Sequence, residues 1–257
     1  MNFEYFWIYE ALIEERQLDI GFDLYCIGHI IWLAATVLAA IVGSNIYIKQ
    51  KERNKEIIKK IFAITLLLSD IIKDVGVLII GAPMIDYLPL HLCSFAIFGL
   101  MFDAFGIKRK ITTQMIAFGF FPGAVAALLF CNWTCYPFMN FMCIHSFTFH
   151  AWIVIYFVML YRAGEIRPEY KGIWNTTKVL IVGAVPVVIF NRIFDTNYLF
   201  LNEASEGSPL VAVWDIFGTR FGLPGYIAGA ILLVIIVFHI LFVVYNALEK
   251  VSNKKRG

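Results

Sequence analysis

The chain has 257 residues, of which 60% are hydrophobic and 16% are charged. Soluble domains carry about 25% charged residues and fewer than half apolar ones, so this composition excludes an ordinary cytosolic enzyme, a secreted disulfide scaffold and a disordered chain. The mean hydropathy is +0.76 and the formal net charge is only +2. These values indicate a polytopic membrane protein, for which we expect membrane lipids as partners and no nucleic acid.

Seven apolar segments are long enough to cross a bilayer, whose core of about 30 Å requires about 20 mostly apolar helical residues. In chain order they are 24–48, 61–82, 88–107, 111–131, 141–161, 174–194 and 221–248. The sequence therefore predicts an all-α bundle of seven transmembrane helices that forms one domain over 1–257. Residues 1–20 are expected to be an amphipathic extracellular segment at the membrane interface, and 249–257 a basic cytoplasmic tail.

The distribution of basic residues predicts how the chain is oriented. Most of its 21 lysines and arginines lie in the connections between spans one and two, three and four, and five and six, and in the tail. The opposite connections are mainly acidic. Because cytoplasmic loops retain Lys and Arg, we predict a cell-membrane protein with its amino terminus outside and its carboxyl terminus inside.

The second predicted span carries Asp70, Lys73 and Asp74, whose spacings of three and four place them on one helical face. Charged residues inside a bilayer are rare and are usually functional or paired. Two interpretations are open: an ion-paired brace between helices, or the polar wall of a hydrated cavity that binds a phosphate or carboxylate. Asp103, in the third span, is expected to be a hydrogen-bond partner inside the bundle.

Cys93 lies in the first turns of the third span, where the helix dipole favours a thiolate. His91 is only two residues away and points to another face, so a base for Cys93 is expected from a different span. His145 and His150 are both candidates and point to different faces, because they are five residues apart. Lys73 and His150 are each about 13 Å from the outer ends of their spans. Polar residues of four spans thus share the outer half of the bundle, including Asn191, Arg192 and Asn197.

The five cysteines show no metal-ligand spacing, so we expect neither a metal nor a cofactor. A disulfide among Cys131, Cys135 and Cys143 remains open if the compartment is oxidising.

The motif Leu88-Pro89-Leu90-His91-Leu92-Cys93, together with His150 and the segment Asn197-Tyr198-Leu199-Phe200-Leu201, resembles the YwaF-like family of integral membrane proteins. The resemblance spans roughly residues 25–245. Animal members of that group are described as phospholipid acyltransferases that act through a cysteine, so the resemblance implies that Cys93 is the nucleophile and His150 its base. The sequence departs from the family pattern at Asp195, where a glycine is expected, and this departure concerns the shape of the outer loop more than the chemistry.

Two functions follow as hypotheses. In the first, Cys93 takes an acyl group from a phospholipid as a thioester and passes it to a lysophospholipid or to water. Lys73 or Arg192 would hold a lipid phosphate, and Asp70 or Asp74 would orient the histidine. The supporting or substrate-binding residues are Asp70, Lys73, Asp74, His91, His145, Asn191, Arg192, Asn197 and Tyr198.

The second hypothesis is a non-enzymatic transporter or small-ligand sensor. In this alternative Asp70, Lys73, Asp74 and the histidines form the binding pocket, and Cys93 takes no part. No matching pair of Gly/Pro-broken spans is found, which disfavours a transporter built from inverted repeats. The sequence leaves open the acyl chain, the head group, transfer versus hydrolysis, and the oligomeric state.

Overall fold

The computed structural model describes residues 5–254 and contains no strand in this range. The first residues of the predicted 1–20 segment and the end of the 249–257 tail lie outside the described residues. The helices are α1 (Glu10–Glu15), α2 (Ile27–Tyr47), α3 (Glu52–Ile79), α4 (Leu92–Ala104), α5 (Arg109–Leu129), α6 (Phe141–Arg162), α7 (Tyr170–Phe194) and α8 (Thr219–Lys254). The all-α prediction is therefore confirmed.

Short irregular elements interrupt or connect these helices. Single 3₁₀ turns occupy Met84–Asp86 and Tyr198–Phe200. A π-helical segment, Ile116–Phe120, lies within α5. The helix Pro209–Val213 and the π-helical turn Trp214–Gly218 lead into α8.

Five helical stretches are long and apolar enough to cross a membrane: α2, α5, α6, α7 and the stretch Pro209–Val251. Each of the seven predicted segments contains a helix, but the count of seven spans is not confirmed. Helix α4 has only 13 residues, which gives a length of about 20 Å, short of the bilayer core. Helix α3 is long enough but carries three charges, at Asp70, Lys73 and Asp74, in its apolar half.

The core of the bundle forms where α3, α4, α5 and α6 pack together, with α2 against α6 and α7 against both α5 and α8. Its centre contains fully buried side chains such as Leu100, Phe118, Phe147 and Ile153. In contrast, α2, α7 and α8 expose many large apolar side chains on their outer faces. Exposed apolar surface of this extent is typical of contact with hydrocarbon and not with water.

The amino-terminal segment folds back onto one end of the bundle. The buried Asn140 side chain donates through Nδ2 to the carbonyl oxygens of Tyr5 and Ile8, both at 2.9 Å. The amide of Phe22 donates to the carbonyl of Thr134 at 2.9 Å. The segment that was predicted as interfacial is thus bonded to the bundle through its main-chain carbonyl groups. This is the end of the bundle that the predicted topology places outside.

Candidate functional site

Lys73 on α3 is buried, with its ammonium beside two carboxylates and a backbone carbonyl. Its Nζ lies 3.0 Å from Asp70 Oδ1 and 2.9 Å from Asp74 Oδ1, and it donates to the carbonyl of Tyr87 at 3.3 Å. The Asp70–Lys73 pair has the i, i+3 spacing read from the sequence, whereas the Lys73–Asp74 pair joins adjacent residues. In this arrangement Lys73 is bonded to the loop before α4, and its charge is compensated by two carboxylates.

The chain turns from that loop into α4 at His91, which is extended (φ −80°, ψ 157°) and precedes the first helical residue, Leu92. Cys93 is the second residue of the helix and is half-buried. The first N–H groups of a helix have no partner within it, and its dipole favours negative charge there. The helix dipole at this position favours the thiolate form of Cys93, whereas burial of the sulfur opposes it.

His91 is held from the other side by the loop that follows α7. The amide of Leu199 donates to His91 Nδ1 at 3.3 Å, and the Tyr198 ring meets the imidazole edge-on at 4.9 Å between centroids. Because Nδ1 accepts this bond, the neutral ring carries its proton on Nε2. His91 is thus arranged to donate from Nε2, which is not the role of a base.

Tyr198 links the loop to the segment that precedes α4. Its hydroxyl donates to the carbonyl of Ile85 at 2.5 Å and accepts from the amide of Leu88 at 2.8 Å. The Asn191 side chain makes two hydrogen bonds to the backbone of Tyr198. Its Nδ2 donates to the Tyr198 carbonyl oxygen at 2.9 Å, and its Oδ1 accepts from the Tyr198 amide at 3.0 Å. Burial raises the pKa of Tyr198 to about 12, so its hydroxyl stays protonated and able to donate at neutral pH.

The same loop contains backbone strain. Asp195, Leu199 and Phe200 have φ values of 54°, 59° and 54°, in the left-handed region that favours glycine. Asn197 stabilises the turn, because its Oδ1 accepts from the amides of Asn202 and Glu203 at 3.0 and 3.1 Å. The predicted site residues Asn191, Asn197 and Tyr198 therefore form the scaffold of the loop that positions His91.

His150 on α6 is buried and has a defined tautomer. Its Nδ1 lies 2.7 Å from the carbonyl oxygen of Ser146, which only accepts, so Nδ1 carries the proton and Nε2 the lone pair. The ring stacks on Trp133, with centroids 5.2 Å apart and an interplanar angle of 13°. A fixed imidazole with a free basic nitrogen is the arrangement that general-base catalysis requires.

Trp133 was not among the residues predicted from the sequence. Its Nε1 is buried and has no hydrogen-bond partner within residues 5–254, so it is an orphan donor beside the candidate base. Trp133 lies in the connection between α5 and α6, and no spacing relates it to His150, so the sequence contained no signal for this pairing.

His145 differs from His150, as their spacing predicted. Its ring lies between Phe141 and Phe149, with centroid distances of 6.1 and 5.3 Å. Its Nε2 is buried without a hydrogen-bond partner among the described residues. The difference that favours His150 as the base is its Nδ1, which is bonded to the Ser146 carbonyl and fixes the ring.

These groups converge around Lys73. His91 interacts electrostatically with both His150 and Lys73, and Cys93 does so with Lys73 and Asp70. Cys93 makes no hydrogen bond to a histidine in the described part of the chain, and catalytic hydrogen bonds are often loose before substrate binds. Lys73 is thus a neighbour common to His91 and Cys93, while no interaction joins Cys93 to His150 or His145 among the described residues.

Two predicted features lie outside this cluster or are not formed. Arg192 is exposed and makes no ion pair within the described residues. All five cysteines are free, so the outer-loop disulfide is not formed in the structure. Across residues 5–254, no three His, Cys, Asp or Glu side chains converge as they would to hold a metal ion.

The fold and this cluster define a helical multi-pass membrane protein with a histidine- and thiol-containing site at one end. A model of the TMEM164 family matches residues 24–244, and the chain belongs to that family. This finding corrects the resemblance to the YwaF-like family, for which a six-residue motif and two short matches were too little to distinguish one membrane family from another. No curated protein matches the chain, and no solved structure matches it.

Proposed function

We propose that the protein is a membrane-lipid acyltransferase in which Cys93 is the nucleophile and His150 the general base. The observation that carries this proposal is the state of His150, whose Nδ1 is fixed by Ser146 while Nε2 has no hydrogen-bond partner in the described residues. The second support is the position of Cys93 in the first turn of α4. A thiol suits two-step acyl transfer because it is a strong nucleophile and also a usable leaving group.

In the first step His150 Nε2 takes the Cys93 proton and the sulfur attacks the ester carbonyl carbon of a phospholipid. The resulting tetrahedral oxyanion collapses, the ester C–O bond breaks, and the imidazolium protonates the departing lysophospholipid oxygen. In the second step His150 deprotonates the hydroxyl of another lysophospholipid, which attacks the thioester carbonyl. The C–S bond then breaks and the proton returns to Cys93. If water attacks instead, the result is hydrolysis.

Two donors are available to stabilise the oxyanion. Trp133 Nε1 is a buried donor without a partner in the described residues, beside His150. His91 carries its proton on Nε2 because Nδ1 is occupied by Leu199. Aimed donors of this kind lower the barrier most where charge develops in the transition state. For the lipid phosphate we favour the exposed Arg192, since the charge of Lys73 is already compensated by Asp70 and Asp74.

We also propose that α3 and α4 cross the membrane with the five apolar helices, giving seven spans with the amino terminus outside. The charges on α3 support this topology, because Lys73 is neutralised by Asp70 and Asp74 and does not enter the bilayer as an isolated ion. This arrangement places Cys93 near the outer surface of the cell membrane.

Acyl exchange by the purified chain tests the proposal. The protein is supplied with phospholipid and isotopically labelled lysophospholipid, and both exchange and hydroxylamine-labile acylation of the protein are measured. We expect exchange and a labile acyl adduct in the wild type and neither in Cys93→Ala. Cys26→Ala is the matched control, because Cys26 also lies at the start of a helix, α2, and should behave as wild type.

Intact exchange in Cys93→Ala would refute the proposal. Saturable uptake or binding of a small solute without any exchange would favour the transporter or sensor. The ion pairs of Lys73 with Asp70 and Asp74 give no support to the transporter or sensor.

A further inference from the structure

A polar cavity lies at the opposite end of the bundle from Cys93. Its volume is about 140 Å³, and its lining includes Glu56, Lys59, Lys60, Asp103, Phe105 and Arg109. One water molecule needs about 10–15 Å³ of such volume, so the cavity has room for about ten waters or for a small polar head group. The basic connections of the chain lie at this end.

Asp103 contributes an unsatisfied acceptor to this cavity. The residue is 2% exposed, and its Oδ2 accepts from the Tyr156 hydroxyl at 2.6 Å. Its Oδ1 is buried and has no hydrogen-bond partner among residues 5–254. A buried carboxylate oxygen without a donor is unfavourable, so the cavity favours a ligand that brings an N–H or O–H group.

The cations of the cavity differ in their availability. Lys59 Nζ and Arg109 each lie 3.1 Å from Glu165 Oε2, and the Tyr47 hydroxyl donates to Glu165 Oε1 at 2.6 Å. Lys60 Nζ instead lies 5.4 Å over the Phe105 ring and has no ion pair in the described part of the chain. Lys60 is thus the cation free to bind an anion.

The surface beside the cavity is apolar. Phe102, Phe105 and Ile107 are 44%, 49% and 47% exposed, and they occupy the end of α4 and the turn that follows it. A ligand that places its polar part in the cavity can lay hydrocarbon chains along these side chains. This favours a lipid over a small water-soluble solute.

From this geometry we infer that the cavity binds the head group of a phospholipid that combines a phosphate with a hydrogen-bond donor. The phosphate pairs with Lys60, and an ammonium or hydroxyl group of the head group donates to Asp103 Oδ1. The site is separate from Cys93 and independent of the acyl-transfer proposal. It would select lipids in the leaflet at the basic end of the bundle.

Binding of short-chain lipids to the purified full-length chain tests this inference. Dihexanoyl phosphatidylglycerol and phosphatidylethanolamine carry donors, whereas dihexanoyl phosphatidylcholine has the phosphate and no donor. We expect the first two to bind at least tenfold more tightly than the third. Inorganic phosphate at the same concentration should not compete, and effective competition by it would show that the site recognises a free phosphate and not the lipid head group.

Asp103→Asn is the decisive variant. The Tyr156 hydroxyl should bond to the amide oxygen, which turns the amide NH₂ toward the cavity and replaces the acceptor by a donor. Binding of both donor lipids should fall at least tenfold, while Tyr245→Phe, which loses a buried hydrogen bond to the Ala117 carbonyl and does not line the cavity, should stay within twofold of wild type. Lys60 is half-buried. Lys60→Gln should weaken the binding of all three lipids.

Equal binding of the three lipids, or unchanged binding in Asp103→Asn, would overturn the inference. If Asp103→Asn fails to fold, Lys60→Gln with the three-lipid comparison still decides it. None of these results bears on acyl exchange at Cys93, which is measured on the same preparations.

Discussion

The amide of Leu199 donates a hydrogen bond to Nδ1 of His91 at 3.3 Å, across 108 positions of sequence. Through this bond the strained loop after α7 determines which nitrogen of His91 carries the proton. Cys93 follows two residues later, at the start of α4. The geometry of the candidate nucleophile therefore depends on a loop that contributes none of the reacting groups.

Tyr198→Phe tests that dependence. The substitution removes the hydroxyl that joins Ile85 and Leu88, which should cost about 1–2 kcal/mol of stability and loosen His91 and Cys93. Tyr245→Phe is the matched control, because it also loses one buried bond, to the Ala117 carbonyl at 2.9 Å. The midpoint temperature of thermal unfolding should fall in both variants, but the rate of acyl exchange should fall only in Tyr198→Phe. Equal exchange in the two variants would count against a positioning role for the loop.

Asp195→Gly should stabilise the protein. Asp195 ends α7 in the left-handed region at φ 54°, where an L side chain is disfavoured and glycine is not, so we expect a gain of about 0.5–1 kcal/mol. The exposed Asp215 lies within a helical turn, and Asp215→Gly should instead lose about 0.3 kcal/mol. Unfolding midpoints of both variants, measured in the same detergent, test the expected gain in stability for Asp195→Gly and the expected loss for Asp215→Gly. A loss of stability in Asp195→Gly would show that the Asp195 side chain stabilises the protein by more than the left-handed backbone costs.

The sequence was most informative where the relevant interaction is local. The spacing of Asp70, Lys73 and Asp74 predicted one helical face, and the structure pairs these three side chains. It was uninformative where the partner comes from a distant loop, as with Trp133 and His150. The length of helix α4 was overestimated. Some of the apolar residues that extended its predicted span lie in the turns at Leu88 and Phe105. The expected glycine at position 195 corresponds to a real left-handed backbone, which asparagine-like residues such as Asp tolerate.

Lys73→Met should be strongly destabilising. It leaves Asp70 buried and Asp74 half-buried beside it without their cation, which typically costs about 3–5 kcal/mol. The triple variant Asp70→Asn/Lys73→Met/Asp74→Asn removes all three charges and should recover most of that loss. Unfolding of the single and triple variants is compared in the same detergent. If the triple variant also retains acyl exchange, Lys73 acts as a brace; if it is stable but inactive, Lys73 has a direct role that the structure does not indicate.

The variants His145→Phe and His150→Phe should distinguish the roles of the two histidines. His145 has a buried Nε2 without a partner in the described residues and packs between two phenylalanine rings, so a phenyl ring should be tolerated with stability unchanged or higher. His150→Phe should keep the stacking on Trp133 but lose the basic nitrogen. A general base contributes about 10²–10⁴-fold to a rate, and acyl exchange should fall by that order in His150→Phe alone. Loss of exchange only in His145→Phe would reverse the assignment.

Cysteine labelling distinguishes seven spans from five. If α3 and α4 both cross the bilayer, the loop between them is outside; if neither crosses, it is inside, while the sides of the other connections stay the same. Asp86→Cys introduces an exposed thiol in that loop, with Glu203→Cys as the outer reference and Lys51→Cys as the inner one. A membrane-impermeant maleimide applied to intact cells should label positions 86 and 203 but label position 51 only after lysis. Protection of position 86 would place Cys93 at the inner surface, where the acyl-transfer site would face the opposite leaflet from the one proposed.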